Sequence, residues 1–481
     1  MRFSIQQLFI PTSATVSEAM EAMDANAAGF VFLGGAEIPQ AVVTDGDIRR
    51  AILKGTSISS KVLPVATKDF LFATTSDHPS VIAEKLKSVD FLPIIDTGAK
   101  LVSIATREEN GIVPVYEPMM GSAEWVNLRE AIESGWISSG GPFVREFELM
   151  LGEYLGAEER VLAVSNGTSA LELCLRTLGV GQNDEVIVPD LTFVATANAV
   201  LNVGARPIPV DVHLESGLLD QSLALEAMTP RTKAVIPVHL YGRPFDVESL
   251  RKSLPNPDIF VIEDCAEAFG TSIRGKMVGT LGHAAAFSFF GNKNITTGEG
   301  GAAVFEEVSY CELARAKRGH GFSTNSRRYS ITQGSNYRMT NLQASVGVAQ
   351  MENLPQILGE KKRVSQAYES RLSGLEGVNL PSWHPDEDGV DWLFTVGLSR
   401  LSEQAIEELV IKATNRGFEF RREFLPLSSQ SILEDSIDSS PIAKKRSESY
   451  LCLPSSPKLQ DETISEITDF LLHEEKKLRF S

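Results

Sequence analysis

Apolar and polar positions follow two different rhythms along the chain, and the change comes near residue 118. Residues 15–55, "TVSEAMEAMDANAAGFVFLGGAEIPQAVVTDGDIRRAILKG", read as helix, strand, turn, strand and helix. Residues 80–109, "SVIAEKLKSVDFLPIIDTGAKLVSIATREE", repeat helix, strand, glycine-containing turn and strand. Neither unit can bury its apolar face alone, which predicts that the two pack together. The stretch "REENGIVPVYEP", 107–118, has the charge, Gly and Pro punctuation of a linker.

Beyond it, short apolar runs ("RVLAVS", "EVIVPD", "ARPIPVDV", "KAVIPVHL", "DIFVIED") alternate with helical runs such as "TSALELCLRTLG". That alternation predicts a parallel α/β sheet covered on both faces. A largely helical stretch follows at about 340–375. The last hundred residues, with "WLFTVGL" and the terminal helix "ETISEITDFLLHEEKKL", predict a smaller α+β domain. The predicted domains are therefore 1–110, 111–375 and 376–481.

Charge narrows the partners. A formal net charge of −18 argues against nucleic-acid binding and against adhesion to an anionic membrane. Any anionic ligand must be held by a local cluster of donors. The four cysteines, Cys174, Cys265, Cys311 and Cys452, form no CxxC pair and predict neither a zinc site nor a disulfide framework. The start of the chain lacks the apolar core of a signal peptide, and no apolar run approaches about 18 residues, so a cytoplasmic protein is expected.

Three motifs carry chemistry. In "VSNGTSALELCLRTLG" a strand runs into Asn166-Gly167-Thr168-Ser169 and a helix opens at once. Its exposed N–H groups and positive end suit a phosphate, although Thr and Ser are also ordinary caps. In "IFVIEDCAEAFG" a buried strand delivers Glu263 and Asp264 at its C-terminal end, where ligands of open α/β sheets sit. Asp264 there suits a metal ligand, a helix cap or a partner for a buried cation, but metal spacings on a helix are missing. In "FSFFGNKNITTGEGG" Lys293 lies between an aromatic strand and a run of glycines. A solvated loop lysine is its ordinary reading. A phosphate cradle, a strand-end carboxylate and a lysine are together what pyridoxal 5′-phosphate (PLP) requires. Beside an aromatic wall and a cationic ring, a lysine loses preference for its charged form and can act as nucleophile and proton shuttle.

From about Pro118 onward, "GWISSGGPFVREFE", "SNGTSAL", "PDLTFVATANAV", "PVHLYGRPFD", "VIEDCAEAFG", "AFSFFGNKNITTGEGG", "NYRMTNLQASVGVAQ" and "LCLPSSPKL" occur in this order. The set resembles the DegT/StrS family of PLP-dependent nucleotide-sugar aminotransferases, in its GDP-perosamine synthase-like form. The resemblance implies a fold-type I aminotransferase, with a large, mostly parallel α/β/α domain and a small α+β domain. It also implies a homodimer with active sites at the subunit interface. By resemblance, Lys293 is the lysine that bonds the cofactor and Asp264 the partner of its pyridine nitrogen. Thr168, Ser169 and Ser288 match the phosphate-binding positions, Phe193 the stacking aromatic, and Glu267 the residue near the ring hydroxyl. Asn336 matches an asparagine that reaches the phosphate of the neighbouring subunit.

His239 and Arg422 match substrate-contact positions, Arg422 for a diphosphate, although a hydrogen-bonded core histidine and a solvated surface arginine are alternative readings of the two. Where the family often has Arg-Pro, this chain has Arg422 followed by Glu423, a departure. The implied reaction moves an amino group from L-glutamate to a nucleotide-linked 4-keto-6-deoxy sugar for surface polysaccharide synthesis. A PLP-dependent sugar dehydratase and a non-catalytic nucleotide sensor are the alternatives; retention of Lys293 favours transamination.

The front repeat resembles a pair of cystathionine-β-synthase (CBS) domains, with "AVVTDGDIRRAILKG" as the end of the first. Thr44 and Asp47 match a Thr-x-x-Asp stretch that touches the ribose of an adenine nucleotide. Thr106 with Glu109 is a degenerate second copy. Arg49 and Arg50 suit phosphate contacts or a solvated helix face. A pair that only packs and promotes oligomers is the equal alternative.

Overall fold

The computed structural model describes residues 5–479 apart from 27–28, 36, 76, 78, 87, 90, 107–111, 324–325 and 434–439. Glu109 lies outside the described residues, as does the side chain of Thr106. The chain forms two compact units, Met1–Val113 with Thr414–Gly417, and Pro114–Ala413 with Phe418–Ser481.

The first unit builds one motif twice. Its first copy comprises β1 (Phe9–Ile10), α1 (Val16–Asn26), β2 (Phe30–Gly35), β3 (Ile38–Thr44) and α2 (Asp45–Leu53). The second comprises β4 (Ala73–Thr74), α3 (Pro79–Leu86), β5 (Phe91–Ile95) and β6 (Leu101–Thr106). In each, the leading strand pairs parallel to the middle strand, which pairs antiparallel to the third. The two-residue leading strands are too short to leave an alternation in the sequence, and pattern reading misses both. The copies meet where Phe30 of β2 stacks on Phe91 of β5, with centroids 3.7 Å apart. That seam buries what neither copy could bury alone.

The second unit is organised by a seven-stranded sheet. Its strands are β7 (Val161–Val164), β8 (Glu185–Pro189), β9 (Arg206–Val210), β10 (Thr232–Val235), β11 (Phe260–Asp264), β12 (Ala284–Ser288) and β13 (Gly301–Phe305). The order is β7-β13-β12-β11-β10-β8-β9, and only β13 runs against the rest. Alternate residues feed two cores on opposite faces. Val161, Ala163, Ala285 and Phe287 join one; Leu162, Val164, Ala284 and Ala286 join the other.

Helices cover both faces: α4 (Ser122–Glu133), α5 (Pro142–Leu155), α6 (Gly167–Thr177), α7 (Ala195–Asn202), α8 (Asn341–Glu352) and α9 (Leu354–Leu372) contribute. A four-stranded antiparallel sheet follows, formed by β14 (Val378–Asn379), β15 (Phe394–Leu398), β16 (Arg421–Arg422) and β17 (Tyr450–Leu453) in the order β14-β15-β17-β16. Among the described residues, no helix is long and apolar enough to cross a membrane.

One local reading needs correction. The end of the expected linker is built into the second unit: Val115 and Tyr116 are buried beside Leu191, Val238 and Trp392. The Val115 N–H donates to Glu419 Oε2, and its carbonyl accepts the Ser455 N–H. The Glu423 departure also has a physical reason. Its carboxylate pairs with the buried Arg446 through Oε2 to Nε (3.0 Å) and Oε1 to Nη2 (2.5 Å). Its N–H donates to Tyr450 O, a bond that proline cannot make. Glu423→Ala strands a buried guanidinium and is expected to cost about 3–5 kcal/mol, read as a fall in the denaturation midpoint. An unchanged midpoint would show that Arg446 does not need this partner.

Candidate active site

The C-terminal ends of β7, β11 and β12, with the loop after β8, open on one cavity of about 390 Å³. Thr168, Phe193, Asp264, Glu267, Ser288 and Lys293 all border it. This edge is where a parallel sheet presents ligand-binding groups.

Lys293 sits in a tight loop after β12, where its N–H donates to Phe290 O and the Thr297 N–H donates to Phe289 O. The glycines behind it let β13 close on β7. A Cβ on Gly301 would come 2.6 Å from the Asn166 carbonyl carbon. The Lys293 side chain is 12% exposed, with Nζ 3.8 Å from Glu267 Oε1 and 3.6 Å from the Trp392 ring centroid. Burial lowers its pKa, opposed by the carboxylates of Glu267 and Asp264. Burial likewise raises the Glu267 carboxyl to about 7, opposed by Lys293. Both groups are moved towards their neutral forms. A buried amine that sheds its proton readily is a nucleophile.

Asp264 ends β11. Its Oδ2 accepts from Thr196 Oγ1 (2.8 Å) and its Oδ1 from the Ala266 N–H (3.1 Å), which fixes the carboxylate plane. Burial raises its pKa, opposed by these two hydrogen bonds and by Lys293. A cation placed against it would reverse that shift.

The opening of α6 suits an anion, with one surprise. Asn166 is the cap: its Oδ1 accepts the Ser169 N–H (2.8 Å). The Ser169 hydroxyl donates back to Asn166 O (2.8 Å), so Ser169 serves the cap and is not brought to the cavity. Thr168 and Ser288 are. Gly167 packs between them, where a Cβ would come 2.8 Å from Ser288 Cβ. The Gly167 and Thr168 N–H groups precede the first acceptor within the helix, which leaves them for a ligand.

Aromatic rings wall the cavity. Half-exposed Phe193 lies 5.8 Å from Phe424, which stacks on Tyr241 at 5.5 Å, which in turn stacks on Trp392 at 6.1 Å. Tyr241 holds a left-handed φ of 53°, a strained state for a tyrosine. In that state its N–H donates to Glu267 Oε2 and its carbonyl accepts the Trp392 N–H.

Two expected substrate contacts are placed elsewhere, and Asn336 lies outside this chain's own cavity. His239 is fully buried; its Nδ1 accepts the Phe245 N–H, so the proton is on Nε2, donated to Glu263 Oε2. His239, Glu263 and Cys265 form the one His/Cys/carboxylate group close enough to share an ion among the described residues. Glu263 is already saturated by the N–H groups of Gly279, Leu281 and Gly282, and His239 does not reach the cavity. Arg422 points away, donating to Ser447 O, Glu403 and Glu407. Its strand neighbour Arg421 borders the cavity instead, because successive strand residues face opposite sides. Asn336 is exposed, accepts from Arg338 Nε, and does not line this chain's own cavity.

In the first unit, Thr44 and Asp47 form a reciprocal cap at the start of α2, with Oγ1 donating to Oδ2 at 2.8 Å. Thr15 with Glu18 repeats that cap at the start of α1, and Thr74 likewise donates its N–H and hydroxyl to Asp77. Thr196, Tyr241, Trp392 and Arg421 are additions that sequence reading misses. Only the strand-end position of Asp264 hinted that a neighbouring donor such as Thr196 was needed.

Residues 118–472 match the profile of the DegT/DnrJ/EryC1/StrS aminotransferase family. The chain is 37% identical to the GDP-perosamine synthase of Escherichia coli O157:H7, over 73% of this chain and 95% of that one. It is 41% identical to the GDP-perosamine synthase of Caulobacter vibrioides, over 62% and 81% respectively. The crystal structure of the aminotransferase TlmJ from Streptoalloteichus hindustanus superposes with a TM-score of 0.72 at 28% identity, covering 76% of this chain and 99% of that one.

Proposed function

The chain belongs to the DegT/DnrJ/EryC1/StrS aminotransferase family, and on that premise we propose that it moves the amino group of L-glutamate to a 4-keto-6-deoxy sugar carried on GDP. It is a PLP-dependent sugar aminotransferase. The observation that carries the PLP chemistry is the convergence of Lys293, Glu267, Asp264 and the start of α6 on one cavity, and the likeness to GDP-perosamine synthases supports the GDP-linked acceptor. When bound, the cofactor supplies an aldehyde carbon that takes the amino group and a cationic ring that draws electrons from the neighbouring carbon.

The chain supplies the rest. Asp264 holds a proton at the pyridine nitrogen. Thr168, Ser288 and the N–H groups opening α6 hold the phosphate. Phe193 walls the ring. Lys293 would bond the cofactor's aldehyde carbon and, as a free amine, would move a proton through Nζ. The apolar wall limits water.

A homodimer fits the surface. Trp125 is 76% exposed on α4, with Val126, Ile132, Trp136 and Ile137 exposed alongside. Apolar residues of that size on one stretch suit burial against a second copy. Asn336, exposed and outside its own cavity, then serves the partner's phosphate.

Arg421, rather than Arg422, takes the sugar-nucleotide diphosphate in this reading. The test is incubation with glutamate and a panel of GDP-, UDP- and dTDP-linked keto sugars, with products identified by mass. The GDP-linked 4-keto sugar is expected to be aminated. Arg421→Ala should raise its KM about tenfold, the size of one charge-assisted hydrogen bond, while Arg422→Ala leaves it nearly unchanged. Amination of only a UDP- or dTDP-linked sugar would overturn the GDP assignment.

We read the first unit as a CBS pair, supported by its twofold repetition. Among the described residues, the cavity bordered by Glu21, Asp24 and Asp45 has no lysine or arginine in its lining. That favours packing and oligomerisation over an anionic nucleotide there.

A further inference from the structure

Trp392 makes contacts that the reading above leaves unused. It lies just before β15, far from Lys293 in sequence, yet contacts both that residue and the one before it. Its indole Nε1–H donates to Asn292 O (2.5 Å), the carbonyl immediately before Lys293. Its ring face lies 3.6 Å from Lys293 Nζ. The indole is itself fixed. Its backbone N–H donates to Tyr241 O (2.9 Å), and its carbonyl accepts from the buried Lys361 Nζ (2.8 Å), which also donates to Ser455 O (2.6 Å). Tyr241 stacks on the ring and holds Glu267 through its own N–H.

We propose that Trp392 is the positioning residue for Lys293: its N–H fixes the backbone that carries the lysine, and its face is the seat of the amine whenever that amine is free. The role rests on the aminotransferase reading, in which Lys293 must alternate between a bonded and a free state. A tryptophan face attracts the ammonium more than the amine, which corrects the expectation that an aromatic wall turns Lys293 towards its neutral form. The seat therefore holds a proton on Lys293 against the effect of burial, and keeps the side chain aimed at Glu267. The titratable groups facing the amine are Glu267 and Asp264. Glu299 and Arg421 also line the cavity, and Lys361 lies behind the Trp392 carbonyl.

Cofactor-free protein gives the test. Acetic anhydride labelling of Lys293 is followed by peptide mass spectrometry as a function of pH, in wild type, Trp392→Phe and Trp392→Leu. If the indole seats the cation, the apparent pKa of Lys293 falls by about one unit in Trp392→Leu and by less in Trp392→Phe. If the indole is only a wall, removing it admits water and the pKa rises towards that of an ordinary lysine. An unchanged or raised value overturns the proposal. Should Trp392→Leu fail to fold, the sign of the shift in Trp392→Phe decides alone. The enzymatic reading is tested separately on wild type, by whether borohydride fixes PLP to Lys293; labelling shifts can fail while that fixation succeeds.

Discussion

Lys293→Ala is expected to give a folded protein that shows no visible band of lysine-bound cofactor and transaminates at least about 10⁴-fold more slowly. The variant loses two tasks at once, bonding the cofactor and carrying the proton. The fold should tolerate the loss. Among the described residues, Nζ makes no hydrogen bond, only the 3.8 Å approach to Glu267 and the contact with Trp392. Removing the amine therefore breaks no hydrogen bond, Glu267 keeps the Tyr241 N–H, and burial already disfavours the charge on Nζ. Absorbance after PLP addition and product formation under saturating glutamate measure the two losses. A small exogenous amine should restore part of the proton transfer, because it fits the vacated space without the advantage of attachment. A band of wild-type strength in the variant would assign the bond to another lysine.

Asp264→Asn is expected to lower turnover about 10²–10³-fold, the scale seen when a group aimed at developing charge is removed. The amide matches the carboxylate in shape. The Ala266 N–H can still donate to the amide oxygen, and the Thr196 hydroxyl, which donates to the other oxygen of Asp264, can turn to accept from the new NH2, so the strand end should hold its geometry. What disappears is the negative charge that keeps a proton on the pyridine nitrogen. Cofactor affinity should change less than turnover, because the phosphate end of the site is untouched. Turnover within about tenfold of wild type would mean that another group stabilises the ring cation.

The large sheet was legible because its strands are buried on both faces and read as short apolar runs between helices. Lys293 and Asp264 were legible because a strand end and a glycine-packed loop are places where a charged residue needs a reason. Other parts were hidden for identifiable causes. β16 is two residues long, so no alternation could say that Arg421 and not Arg422 borders the cavity. Ser169 is chemically suited both to a phosphate and to a cap, and only the hydrogen bonds to Asn166 decide between them. His239 reads the same whether it lines a pocket or, as here, pairs with Glu263 in the core. Trp392 reaches Lys293 only through the fold, across a gap in sequence that no motif spans. The leading strands of the first unit, β1 and β4, are set by pairing with β2 and β5, a long-range effect with no local pattern.

Reduction of the PLP-loaded protein with borohydride, followed by digestion and peptide mass mapping, tests the centre of this picture most directly. The expected result is a phosphopyridoxyl group on the peptide carrying Lys293, and none on that peptide in Lys293→Ala. Attachment to a different lysine, or an active enzyme in which no lysine becomes modified, would contradict it.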